Sequence, residues 1–172
     1  MCAKPWLGVP LGVVAGAALA FAGGVRANWT PSLPVGLYAV RPLHGAPARG
    51  QLVRACLPDG PAALARERDY LGRGPCPHDT MPVLKPVAAV SGDVVIVGAD
   101  GVRVNGGRVA VSPLARDSRG RPMQAVPPGT YIVAPGTVWL LSDHNGASFD
   151  ARYFGPVPVA SIDATARPLF TF

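Results

Sequence analysis

Residues Asn28 to Tyr38 read NWTPSLPVGLY. A single serine, Ser32, directly follows Pro31, and Pro34 and Gly36 come soon after it. Proline fixes its own φ and has no N–H to donate, so Pro31 stiffens the chain where Ser32 sits. The stretch begins two residues after a long apolar run ends. Two readings compete at this point: a stiff linker leaving a membrane, or a nucleophile held rigidly beside one.

Upstream, Pro5 to Val25 (PWLGVPLGVVAGAALAFAGGV) carries no charge, with Lys4 before it and Arg26 after it. About 20 apolar residues suffice to cross the hydrocarbon core. The competing reading is a cleaved signal peptide, for which Ala20-Phe21-Ala22 offers a small-x-small cleavage site. The run is long for a signal-peptide core, and the next motif follows it closely. An uncleaved anchor is therefore expected, with residues 1–27 as a cytoplasmic tip and transmembrane anchor and residues 28–172 as a periplasmic body. Lys4 and Arg26 nearly balance, so the short N-terminus sets this orientation more than charge does.

The chain has 172 residues, enough for one domain with a core plus an anchor. Only 15% are charged, against about a quarter in an ordinary soluble domain, and mean hydropathy is +0.27. Twenty prolines and 21 glycines exclude a helical bundle and fit short strands joined by turns. Net charge is +6, but the positives are scattered arginines without a basic run or interleaved aromatics. That pattern argues against a nucleic-acid partner and fits solubility or attraction to anionic lipid headgroups. Cys56 and Cys76 stand twenty residues apart in the body. In an exported domain they are expected to pair as a disulfide; two buried free thiols are the alternative. His78 lies close to Cys76, but no CxxC and no fourth ligand accompany it, so no metal is expected.

Downstream, 36–41 and 51–56 read as short strands. Pro61 to Tyr70 reads as the one helix of the body, with Gly72 as its stop. Further strands are expected at 93–97, at 102–105 and 108–111 around a hairpin signal, NGG, and at 130–134 and 137–142 around Pro135-Gly136. Residues 116–129 form a polar loop, and 154–162 carries three prolines without helical period. The expected fold is mostly β: one N-terminal transmembrane helix, then a small antiparallel β domain with long loops.

Two further stretches carry chemistry. Lys85 lies in MPVLKPVAAV (81–90) with apolar neighbours on both sides. It either points to solvent at a sheet edge, which the adjacent prolines allow, or is buried. Burial disfavours the ammonium and leaves a neutral amine able to take a proton. Ser142 to Gly155 reads SDHNGASFDARYFG. It is either a polar turn before a strand or the rim of an active site, in which Asp150 pairs with Arg152 and Ser148 orients a base.

Taken in order behind an apolar run, the three stretches resemble the type I signal peptidase superfamily, the membrane-anchored Ser-Lys proteases, to which the LexA-like repressors are soluble cousins. TPSLP matches the family's serine box, with Ser32 at the nucleophile position and Thr30 two residues before it. KPVAAVSGDVV keeps Lys85, Gly92, Asp93 and Val95 of the lysine box, with Ser91 in place of its proline. SDHNGASFDARYFG keeps Asp143, Ser148, Asp150, Arg152 and Gly155 of the last box, while Ser142, His144 and Ala151 depart from it. The small body, SLPVGLY and the cysteine pair look like the TraF-type branch of conjugative transfer peptidases.

The resemblance implies a signal-peptidase-like β fold, Ser32 as nucleophile, Lys85 as its base and no cofactor. It implies supporting roles for Ser148, Asp150 and Arg152, and an oxyanion site built from the Ser32 N–H and the Thr30 hydroxyl. It also implies an inner-membrane enzyme that matures a pilin, by trimming or by joining its ends. A general signal peptidase acting on membrane-inserted preproteins and a non-catalytic scaffold domain are the alternatives. Leu33, Val83 and Leu84 are candidate pocket walls by proximity. Six residues separate Arg26 from Ser32, a reach of about 20 Å, which keeps the site at the lipid surface.

Overall fold

The structure, a computed structural model, describes residues 11–172. Helix α1 (Leu11–Ala22) comes first. Among the described residues no helix is long and apolar enough to cross a membrane. The expected span is thus not shown: its first residues, with Lys4 and Cys2, lie outside the described ones. The helix also stops earlier than the apolar run does. Gly23 donates to the Leu19 carbonyl, and Gly24 adopts φ +88°. A Cβ on Gly24 would meet the Val40 carbonyl oxygen at 2.4 Å, so only glycine fits this turn. Val25 then enters a strand, β1 (Val25–Asn28), which pairs with β2 (Gly36–Pro42). The first strand thus begins at Val25, ahead of residue 28.

The chain continues through β3 (Leu52–Ala55), α2 (Asp59–Glu67), β4 (Arg73–Cys76) and β5 (Val83–Ala89). Next come β6 (Val94–Gly98), β7 (Gly101–Val104), β8 (Gly107–Ala110), β9 (Gly129–Ile132) and β10 (Thr137–Leu140). It ends with α3 (Ala151–Phe154), β11 (Val157–Pro158) and β12 (Ile162–Thr171). Seven strands form one sheet in the order β1-β2-β12-β3-β5-β10-β11, and four form a second in the order β8-β7-β6-β9. All their pairings are antiparallel.

The run Val138-Trp139-Leu140-Leu141 explains how the sheets join. It is buried without a polar break, as expected of a strand covered on both faces. Val138 and Leu140 enter one core with Val53, Val83, Val87 and Val157. Trp139 and Leu141 enter the other with Val95, Val97, Val102 and Val104. The strands flanking Pro135-Gly136 consequently part company: β9 pairs with β6, and β10 with β5 and β11.

Helix α2 starts at Asp59, two residues before Pro61, which a first turn tolerates. It ends at Glu67 rather than Tyr70, because Asp69 turns to φ 57°. Cys56 and Cys76 are joined in a disulfide that brackets it. The ten-residue β12 carries no sequence expectation. Its inward side chains beyond Ile162 are Ala164 and Ala166, too small to mark an apolar face, and Pro168 sits at an irregularity opposite Tyr38.

Candidate active site

Strand β5 alternates strictly: Val83, Lys85, Val87 and Ala89 point inward, while Leu84, Pro86 and Ala88 are only half-buried. A strand's side chains change face at every residue, so the register that buries the valines buries the lysine with them. Lys85 faces Val53 across the β3–β5 pair and is 2% exposed. The solvent-facing alternative for Lys85 is thereby excluded. Burial pulls its pKa down from the ordinary lysine value to about 8; the Asp150 charge opposes this and the Arg152 charge adds to it.

The loop between β10 and α3 brings Ser148 to this amine. Lys85 Nζ donates to Ser148 Oγ at 2.5 Å, and Ser148 Oγ lies 3.5 Å from Ser32 Oγ. Ser32 sits in the turn between β1 and β2, half-buried. A hydroxyl from each of two loops and an amine from a central strand thus lie in one line. Residues 32, 85 and 148 are far apart in the chain; β10, which leads into the Ser148 loop, pairs with β5, and hydroxyl contacts from Ser142 and Ser148 tie that loop to the Ser32 turn.

Asp150 and Arg152 stand behind that line. Arg152 Nε and Nη2 donate to the two Asp150 oxygens at 2.8 and 2.7 Å, and both side chains are fully buried. The remaining acceptor capacity of Asp150 goes to backbone, the Ser142 N–H at 3.1 Å and the Arg152 N–H at 3.1 Å. The second of these caps α3. Arg152 also donates to the carbonyls of Gly146, Asn145 and Ser148. The pair therefore ties the Ser148 loop down, and Asp150 spends its oxygens on Arg152 and backbone. The Cys56–Cys76 disulfide serves α2 instead.

Thr30 departs from its expected role. Its hydroxyl donates to Asn28 Oδ1 at 2.7 Å, and a hydroxyl has a single proton to give. The Ser32 N–H has no acceptor among the described residues. Leu33 and Val83 are core residues, 7% and 6% exposed, not open pocket walls; Leu84 packs against the same small core as Leu33.

Two residues of this site escape the sequence reading. Asn28 is buried, and its amide points to the carbonyls of Thr30, Leu33 and Pro34 at 3.0, 3.4 and 3.2 Å. The Ser142 hydroxyl, also buried, donates to the Ser32 carbonyl. Both act on backbone oxygens, which leave no trace in residue spacing. Two box positions lie elsewhere. Asp143 is exposed. Asp93 is buried and accepts from the Val90 N–H and the Asn105 amide, with Arg49 at 3.1 Å. Burial pushes its pKa up, but these partners together hold it below the ordinary carboxylate range. Among the described residues no group of His, Cys, Asp or Glu is placed to hold a metal.

A serine hydroxyl near an amine of lowered pKa, joined through a second hydroxyl, is the equipment of acyl transfer. The chain belongs to the signal peptidase family, peptidase S26, whose model matches residues 6–171. It is 40% identical over 159 residues to the plasmid transfer protein TraF of Escherichia coli, covering 91% of this chain and 88% of that one. It is 43% identical over 155 residues to a probable conjugal transfer protein TraF of Sinorhizobium fredii, covering 89% and 80%. A signal peptidase I crystal structure from Enterococcus faecalis V583 overlaps 70% of this chain and 97% of its own, at 20% identity and a TM-score of 0.40. That score is too low for the overlap to carry weight.

Proposed function

We propose that this chain is a membrane-anchored serine endopeptidase of conjugative transfer, with Ser32 as nucleophile and Lys85 as general base. Its substrate is a membrane-inserted pilin precursor. The observation that carries the reading is the line Lys85–Ser148–Ser32, ending on a buried amine. With its pKa near 8, Lys85 is neutral in about a tenth of molecules at pH 7, against fewer than about one in a thousand for a free lysine. The neutral amine takes the Ser32 proton, either directly or through the Ser148 hydroxyl, whose proton then turns toward Nζ. Ser32 Oγ attacks the scissile carbonyl, and the unpaired Ser32 N–H meets the developing oxyanion. The protonated Lys85 returns its proton to the leaving amine, leaving an acyl-enzyme for water or a second amine to open.

The surroundings of the Ser32 turn support a place of action at the lipid surface. Trp29 is 76% exposed, and Phe172 is 77% exposed. Leu37 and Phe170 are exposed opposite each other across β2 and β12, and the Phe172 N–H bonds to the Val35 carbonyl at the same end. Large apolar groups gathered at one sheet end favour lipid contact. The exposed Leu19 and Phe21 of α1, and the uncharged run from Pro5 to Val25, favour an anchor in the inner membrane with the site at its periplasmic surface. The names of the relatives, plasmid and conjugal transfer proteins, favour a substrate from the transfer apparatus.

The test is an intact-mass comparison of the pilin precursor co-expressed with wild type and with Ser32→Ala. Wild type is expected to yield a shorter species, and Ser32→Ala to leave the precursor whole. A product one water lighter than the linear fragment identifies ring closure; the linear mass identifies hydrolysis. Equal processing by both proteins would remove Ser32 from the mechanism. No processing by either would point to a leader-peptide preprotein instead of a pilin.

A further inference from the structure

The turn that carries Ser32 is held almost entirely by its carbonyl oxygens. The Asn28 amide donates to the carbonyls of Thr30, Leu33 and Pro34, on both sides of Ser32. Its own oxygen accepts from the Thr30 hydroxyl at 2.7 Å and the Thr30 N–H at 3.3 Å. The Tyr38 hydroxyl adds a second bond to the Pro34 carbonyl at 2.7 Å. The Ser142 hydroxyl holds one more, the Ser32 carbonyl, from the opposite loop.

Asn28 is the last residue of β1, opposite Gly36, so its backbone is fixed by the sheet while its side chain reaches into the turn. No other residue type offers this set. The site needs two N–H donors and one acceptor on a short stem. Aspartate offers only acceptors, and serine has one proton. A buried amide with all its groups engaged is costly to remove: the buried Leu33 carbonyl would lose its donor, while Pro34 would keep only Tyr38. The same geometry leaves the Ser32 N–H without an acceptor among the described residues.

We infer that Asn28 is a positioning residue for the nucleophile: together with Ser142 it fixes the Ser32 turn so that Oγ meets Ser148 while the Ser32 N–H stays free for the substrate oxyanion. This rests on the peptidase reading above. Thr30 enters as the strut that orients Asn28, through the bond to Oδ1.

The inference is tested by the kinetics of Asn28→Ala, Ser142→Ala and the double variant, measured on the full chain in detergent with the pilin precursor, beside wild type and Ser32→Ala. Displacing a nucleophile by about 1 Å costs about 100-fold in rate. Asn28→Ala is therefore expected to lower kcat about 100-fold, to leave KM within about threefold, and to leave the pKa of the pH–rate profile in place, because Lys85 is untouched. Since both side chains hold one turn, the losses in Asn28→Ala and Ser142→Ala should fail to multiply in the double variant. Where the thermal midpoint reveals that Asn28→Ala is poorly folded, Asn28→Asp replaces it. That variant keeps the volume and the acceptor for Thr30, loses the donors, and is expected to lose kcat alike. Wild-type kcat in a folded Asn28 variant, with Ser32→Ala inactive, overturns the positioning role alone. An active Ser32→Ala overturns both it and the peptidase reading.

Discussion

Replacing Lys85 with methionine is expected to abolish cleavage and, in the same protein, to raise folding stability at neutral pH. The first effect is loss of the base, about 10⁴-fold in kcat. The second follows from what burial does to an amine. The folded-state pKa is lowered from 10.5 to about 8. Below pH 8 both folded and unfolded chains carry the proton, and the folded chain bears the full cost of a buried ammonium. Between pH 8 and 10.5 only the unfolded chain binds the proton, so wild-type stability rises with pH across that window. A shift of this size corresponds to about 3 kcal/mol. Methionine fills nearly the same volume without a charge. Urea unfolding at pH 7 should find Lys85→Met more stable by up to about 3 kcal/mol, and the difference should shrink as pH approaches 10.5. An unchanged or lower stability at pH 7 would mean that the site solvates or pairs the ammonium.

Arg152→Met carries the opposite sign. It leaves the Asp150 carboxylate fully buried without its counter-charge, and leaves the Gly146, Asn145 and Ser148 carbonyls without their donor. Breaking a buried pair from one side costs about 3–5 kcal/mol. Activity should fall further than folding alone explains. Arg152 helps to hold the Lys85 pKa down, while Asp150 pushes it up, so the amine of the variant is more protonated at pH 7. Replacing both partners with Asp150→Leu and Arg152→Met should cost less stability than Arg152→Met alone, because no unpaired charge remains. The unfolding free energies of the single and double variants check this. A double variant that is worse by the sum of its parts would refute the ion-pair account.

The parts of the site that are legible in the sequence are those whose side chains face one another. Ser32 between its prolines, Lys85 among valines and Ser148 before Asp150-x-Arg152 keep fixed spacing in three boxes. Strand alternation then turns Lys85 inward with Val83 and Val87. Asn28 and Ser142 escaped because their partners are backbone carbonyls, which every residue possesses. Strand β12 escaped because two alanines and a proline write no apolar stripe. The glycine turn after Ala22 is not legible, because Gly23, Gly24 and Val25 are as apolar as the helix before them. The motif position of Thr30 implies an oxyanion donor, yet its proton goes to a neighbour two residues back.

The most direct measurement is the pH dependence of kcat/KM for precursor cleavage by the detergent-solubilised full chain, from pH 6 to 10. If Lys85 must be neutral to act, the rate rises about tenfold per pH unit below the lysine's pKa and levels off above it, with one apparent pKa near 8. A profile that is flat between pH 6 and 9, or that falls as pH rises, would contradict a lysine base and with it the account of this site.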